Sequence, residues 1–267
     1  MTTPQTGKHR LSERSCRSGR VENLPAENGG AKVCGHSHPT ELKPPAEPLL
    51  RLDGVTKRFA SPSGPVEVLR DLSLDLNPAE FLMITGPSGA GKSTLLNLVA
   101  LLDRPSEGRI VFEGRDVSSL TEDSLAEIRK RRIGMVFQRF CLLPHRSLLD
   151  NVVFRFRYTS HPAAEARALA GLALEEVGLA AIANRPARLA SAGEMQRAAI
   201  ARAIALKPAL LVADEPTGNL DRDNAATVMD CFERIHSHGI AIVMATHNEQ
   251  LLPRATRHLR CREGGVT

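Results

Sequence analysis

Residues 81–96 read FLMITGPSGAGKSTLL, and no other stretch restricts the fold as much. The apolar run 81–84 has the length of a buried strand. At once after it, Gly86, Gly91, Lys92 and Ser93 fit the pattern G-x-x-x-x-G-K-[ST]. Across Gly86, Pro87, Ser88, Gly89, Ala90 and Gly91, glycine and small side chains let the backbone curl until successive N–H groups face inward onto phosphate oxygens. A helix opening there aims its positive dipole end at the same anion. Lys92 is placed to reach the outer phosphates, and Ser93, followed by Thr94, to set a hydroxyl on Mg²⁺. With glycine at about 7% of residues, the pattern arises by accident in roughly one chain of this length in a hundred. The strand before it and the helix after it make a mere glycine-rich turn the weaker explanation.

The chain has 267 residues, room for one large domain or two small ones. Aromatics are 3% of it and tryptophan is absent, which disfavours a base-stacking RNA surface, and a net charge of +5 is ordinary for a solvated surface. We therefore expect no nucleic-acid partner. Cys16, Cys34, Cys141, Cys231 and Cys261 are odd in number and contain no C-x-x-C, a pattern of reduced intracellular thiols. No run approaches the ~18 apolar residues of a membrane span, and the N-terminus lacks a secretion signal's apolar core. The expectation is a cytoplasmic protein.

Residues 1–48 show neither helical nor strand periodicity and read as a disordered tail. Within them Cys34, His36 and His38 are spaced as metal ligands, but a fourth ligand is not evident, and a flexible extension is the simpler reading. Order begins at residue 49. A short strand through Leu50, Leu52 and Val55 ends at Phe59. Alternating strands over 66–69 and 72–76 follow a turn-rich SPSGP. Phe59 either stacks on an adenine or belongs to the core; its position alone leaves both open.

Further predicted elements are a helix over 93–101, a strand over 109–112, and an exposed helix over 121–132 capped by Thr121. Residues 133–137 read as an apolar strand stopping at Gln138. An alanine-rich helical insertion centred on 163–177 follows, then a helix over 194–206 stopped by Pro208. Apolar strands over 209–213 and 240–245 end at Asp214–Glu215 and at Thr246–His247. Four apolar strands thus end in Gly86, Gln138, Asp214–Glu215 and His247. In open α/β sheets ligands sit outside the carboxyl ends of the strands, so all four ends can converge on one nucleotide.

Releasing a γ-phosphate requires a phosphate cradle, a metal-ligand system, a positioned water and stabilisation of spreading charge. Asp214 suits the metal's water shell. Glu215 can accept the proton of the attacking water. Gln138 can touch the metal or that water, and His247 can donate to the γ-phosphate while holding Glu215 in place.

The motifs GPSGAGKST (86–94), Gln138, SAGEMQR (191–197), ALLVADEPTGNLD (209–221) and ATH (245–247) together resemble the ATP-binding subunit of an ABC transporter. They follow the family's order over roughly residues 49–263, and EPTGNLD with EMQR is most similar to the lipoprotein-release and macrolide-export branch. The resemblance implies a P-loop NTPase with a RecA-like mixed sheet core, an antiparallel β subdomain and an inserted helical subdomain at about 140–207 within a 49–267 cassette. It implies ATP and Mg²⁺ as cofactors, with catalytic roles for Glu215, His247, Gln138 and Lys92. It implies a head-to-tail dimer in which Ser191 and Gly193 contact the γ-phosphate bound to the other subunit, with residues 219–221 communicating between the two sites. Phe59 becomes the adenine-stacking residue. Residues 139–146 become the segment that receives force at a separate membrane permease, and the subunit sits on the inner face of the cell membrane.

The family's L-S-G-G-[EQ] reads here Ala190–Ser191–Ala192–Gly193–Glu194. Were position 192 to need a positive φ, alanine there would weaken dimer closure by on the order of 1 kcal/mol. An alternative function is transmembrane mechanical signalling, such as control of a cell-wall hydrolase, without transport. A soluble ABC ATPase acting on DNA or ribosomes is disfavoured, because the coiled-coil or zinc insertions and the second cassette of those types are missing.

Overall fold

The structure, a computed structural model, describes residues 47–62, 64–262 and 265–266. The Cys34, His36 and His38 cluster, with residues 1–46 of the proposed tail, lies outside the described residues.

Two sheets form. The first is antiparallel, ordered β2 (Val66–Leu76), β1 (Leu50–Phe59), β4 (Glu107–Phe112) and β5 (Arg115–Asp116). The sequence pattern divides β2 into two strands, but the chain runs through as one: Asp71 takes φ 42°, and the register against β1 shifts between Leu52 and Val55. A bulge breaks the alternation without ending the strand.

The second sheet has the order β10 (Gly265–Val266), β9 (Arg257–Arg262), β3 (Phe81–Thr85), β8 (Ala241–Ala245), β7 (Leu210–Asp214) and β6 (Ile133–Val136). From β9 to β6 all neighbours are parallel. Parallel strands are covered on both faces, which is why β3, β7 and β8 read as unbroken apolar runs. Phe81 and Met83 of β3 pack into one core with Ile200 and Phe232, while Leu82 and Ile84 pack into the other with Leu95 and Leu98. Leu211 and Ala213 of β7 divide from Leu210 and Val212 in the same way. This is the α/β P-loop NTPase fold expected from the sequence.

Helix α1 (Lys92–Val99) follows β3 directly. Helix α2 (Glu122–Arg132) is capped as anticipated, Thr121 Oγ1 accepting from the Ser124 N–H. Between β6 and β7 lie α3 (Leu148–Val153), α4 (Ala163–Glu176) and α5 (Ala192–Ile204), joined by short 3-10 turns. The sequence reading leaves α3, α6 (Arg222–Ser237) and β9 unassigned. Helix α6 was legible: Asp221 accepts from the Asn224 N–H as an N-cap, and buried Val228, Phe232 and Ile235 recur at helical spacing. Strand β9, RHLRCR, was not, since its charge hides two inward residues. Among the described residues no helix is long and apolar enough to cross a membrane.

Candidate active site

The strand order puts β3, β8, β7 and β6 side by side. Their carboxyl ends therefore lie along one edge, and the residues just past them share a cleft. Gly86, Pro87, Ser88, Gln138, Glu215 and His247 line this opening of about 1210 Å³. Glu249, Arg260 and Arg262 line it too, and the sequence reading missed them. Their signal is positional only, since the arginines belong to a strand that its own charges obscure.

The loop is shaped as its glycines require. Gly86 takes φ 145° beside β9, and a Cβ there would stand 2.4 Å from the Cys261 carbonyl oxygen. Only glycine fits this combination of backbone angle and close approach. Lys92, at the first position of α1, is buried and donates from Nζ to the carbonyls of Gly86 (2.7 Å) and Pro87 (3.0 Å). Both of these acceptors are neutral carbonyls rather than carboxylates, so the ammonium charge remains available to a phosphate. Ser93 Oγ donates to Asp214 Oδ2 at 3.0 Å, joining the phosphate loop to β7. That hydroxyl and carboxylate form the hard oxygen set that Mg²⁺ takes, so the residues fit the metal. Burial raises the Asp214 pKa; the Ser93 hydrogen bond opposes this, Glu215's charge adds to it, and Lys92 opposes it.

Glu215, one residue past the end of β7, has φ 47°. A glutamate in the left-handed region is held there by its surroundings at a cost of about 1–3 kcal/mol. The turn aims its carboxylate at His247, whose Nδ1 lies 2.6 Å from Glu215 Oε2. Gln138, just beyond β6, is tied to residues 219–221: Asn219 Nδ2 donates to the Gln138 carbonyl at 3.2 Å. The chain that follows is fastened twice. Asn151, buried in α3, donates to the Leu143 carbonyl at 3.1 Å and accepts from the Leu143 N–H at 2.6 Å. Arg202 of α5 donates to the Cys141 and Phe140 carbonyls at 2.6 and 3.2 Å.

Phe59, Ser191 and Gly193 belong to other elements and do not line this cleft. Phe59 is exposed at the end of β1, opposite Val66 of β2, with Lys57 Nζ 4.9 Å from its ring centroid. It is not a core residue. The same strand β2 brings Val68 against the loop, whose Gly91 Cβ position is 3.1 Å from the Val68 carbonyl. Ser191 and Gly193 stand instead at the N-terminus of α5. Ser191 is an exposed N-cap in a reciprocal box, its Oγ accepting from the Glu194 N–H and Glu194 Oε2 accepting from the Ser191 N–H. Gly193 packs so closely on α6 that a Cβ would lie 2.1 Å from Asn224 Oδ1.

The anticipated defect at Ala192 is corrected by the structure. Ala192 is the first residue of α5 and is not among the positive-φ residues. Alanine is a better helix former than glycine, so Ala192 carries no backbone penalty, and the reason to expect weaker dimer closure falls away.

The family model for the ABC transporter matches residues 69–218, more than half of the chain. The lipoprotein-releasing system ATP-binding protein LolD of Aquifex aeolicus is 43% identical over 218 residues, covering 82% of this chain and 96% of that protein. The macrolide export ATP-binding/permease protein MacB of Syntrophobacter fumaroxidans is 40% identical over 222 residues, 82% of this chain but 31% of its own length. The chain thus spans about a third of such fused relatives. Among solved structures, the dimeric post-hydrolysis state of the ATP-binding cassette MJ0796 bound to ADP and Pi matches with TM-score 0.74 and 33% identity, over 81% of this chain and 96% of that one. Phosphate loop, paired acids and histidine meeting in one cleft agree with these likenesses: the chain belongs to the ABC transporter family, as an ATP-hydrolysing ATP-binding subunit of the branch that holds the lipoprotein-release and macrolide-export cassettes.

Proposed function

We propose that this ATPase dimerises head to tail on ATP and powers a separate membrane permease that exports or extracts its substrate. The observation that carries the reading is the Glu215–His247 pair, 2.6 Å apart, opposite the phosphate loop in the same cleft. The backbone N–H groups of residues 86–94 and the Lys92 ammonium hold the phosphates of ATP. Ser93, Asp214 and Gln138 would hold Mg²⁺, which when bound would neutralise charge building on the phosphate oxygens. Glu215 takes a proton from water as the water oxygen bonds to the γ-phosphorus; the bond from that phosphorus to the bridging oxygen breaks, leaving ADP and phosphate. His247 fixes the Glu215 carboxylate through Nδ1 and offers its other nitrogen to the γ-phosphate. Phe59 stacks on the adenine.

Ser191 and Gly193 act on the partner's nucleotide. Their absence from this subunit's own cleft supports that assignment, as does the dimeric state of the MJ0796 cassette. Residues 49–267 form the cassette, and the helices within 140–207 form the lobe that meets the permease. A groove of about 610 Å³ supports this placement: exposed Phe137, Phe154 and Tyr158 line it, as does Arg202, which holds the Phe140 and Cys141 carbonyls. The subunit then works at the cytoplasmic face of the membrane. The name of the macrolide relative joins ATP-binding and permease functions in one protein, in line with such a pairing.

The test is a pull-down from membranes with Glu215→Gln, trapped with ATP. Recovery of a polytopic protein with a large extracytoplasmic domain supports the reading. Recovery of only soluble partners, ribosomes or DNA overturns the transport role and leaves the ATPase intact.

A further inference from the structure

Strand β9 is the outer neighbour of β3, with Ile84 opposite Leu259 and Thr85 opposite Arg260. Cys261 is the next residue, level with the start of the phosphate loop. Side chains alternate along a strand: Arg260 and Arg262 line the cleft, while Cys261 between them is fully buried. Cys261 touches both ends of the loop. Its carbonyl oxygen occupies the space a Cβ on Gly86 would need, at 2.4 Å. Its thiol donates from Sγ to the Ala90 carbonyl at 2.7 Å. A trans peptide is planar, so a carbonyl fixed on one side leaves the following N–H pointing to the other. The bond from Cys261 therefore sets the direction of the Gly91 N–H, away from the thiol.

We propose that Cys261 is a positioning residue for nucleotide binding, its thiol holding the Ala90–Gly91 peptide so that the Gly91 N–H faces the phosphates. The inference rests on the assignment of residues 86–94 as the phosphate cradle. Burial supports it by pushing the Cys261 thiol up, against the opposing charge of Lys92, so the group stays a protonated donor. A buried apolar side chain of similar size would fill the same space but supply no donor.

Serine and valine at this position separate the two roles. Serine keeps an O–H donor with less bulk; valine keeps the bulk without a donor. Equilibrium titration with fluorescent ADP and ATP should place Cys261→Ser within about twofold of wild type. Losing one net hydrogen bond should raise the Kd of Cys261→Val for both nucleotides by about three- to tenfold. KM should follow Kd while kcat moves much less. Cys261→Ala, which adds no bulk, carries the same comparison should valine not be accommodated, and thermal unfolding checks that each variant is folded. Donor-lacking variants that bind like wild type, or a serine variant as weak as they are, overturn the proposal. Failure of the wild-type protein itself to bind ADP and ATP overturns instead the cradle on which it rests.

Discussion

Gly86→Ala and Gly89→Ala alter the same loop by one methyl group each, and the structure assigns them different costs. At Gly89, φ is 80° and nothing lies within 4 Å of the Cβ position. Alanine there pays only for a left-handed backbone, about 1 kcal/mol. At Gly86, φ is 145° and the methyl group would be 2.4 Å from a main-chain oxygen, that of Cys261. A carbon normally approaches a carbonyl oxygen to about 3.3 Å, so about 0.9 Å must be found. Neither side yields easily, because β3 and β9 are paired in the sheet on one side and α1 begins six residues on. Overpacking of this kind costs about 1–3 kcal/mol, which with a backbone term of about 1 kcal/mol makes about 2–4 kcal/mol for Gly86→Ala. In a domain of about 220 residues each kcal/mol shifts Tm by about 2–4 °C. Gly86→Ala should therefore melt on the order of 10 °C below wild type and Gly89→Ala about 3 °C below, by scanning calorimetry without nucleotide. A 0.9 Å displacement also takes an N–H out of hydrogen-bond reach, so fluorescent-ADP affinity should fall at least tenfold in Gly86→Ala and far less in Gly89→Ala. Equal melting and equal affinity in the two variants would refute the account of why glycine stands at position 86.

Glu215→Gln should bind ATP, accumulate as a dimer by light scattering and hydrolyse about 10²–10⁴-fold more slowly; wild-type turnover would remove Glu215 as the base. His247→Ala frees the Glu215 carboxylate from its 2.6 Å partner, so kcat should fall with ATP affinity little changed, as steady-state kinetics would reveal. Asp214→Asn should abolish Mg²⁺-dependent turnover yet raise the Tm of the nucleotide-free protein at pH 7–8. Burial raises the Asp214 pKa, so its ionisation costs stability that is absent below the unfolded carboxylate value of about 3.9 and fully present above the raised folded value. The Tm difference between the two proteins should accordingly close as the pH falls. Gly193→Ala should push Asn224 off Asp221, to which its amide now donates at 2.6 Å. Loss of ATP-driven dimerisation with ATP binding to the monomer kept is the expected result.

Much of this protein is legible one segment at a time. The phosphate loop announces itself because its function needs particular residue types at adjacent positions. Buried parallel strands do so because both faces must be apolar, and α2 because its cap and charges are local. What no segment carries is the order β9–β3–β8–β7–β6. That order turns residues 161 positions apart, Gly86 and His247, into neighbours of one cleft, and it follows from pairing and packing across the described chain. Glu215 was readable as a candidate base and His247 as the residue that holds it, but the left-handed turn at Glu215 and the 2.6 Å contact it makes came only from the surrounding fold. Position 192 shows the opposite case: a motif comparison marks Ala192 as a defect, and its place at the start of α5 removes the penalty. Cys261 and its flanking arginines matter through what β9 lies against. A strand's neighbour is set by long-range hydrogen bonding and burial, which a six-residue segment with three arginines does not encode by itself.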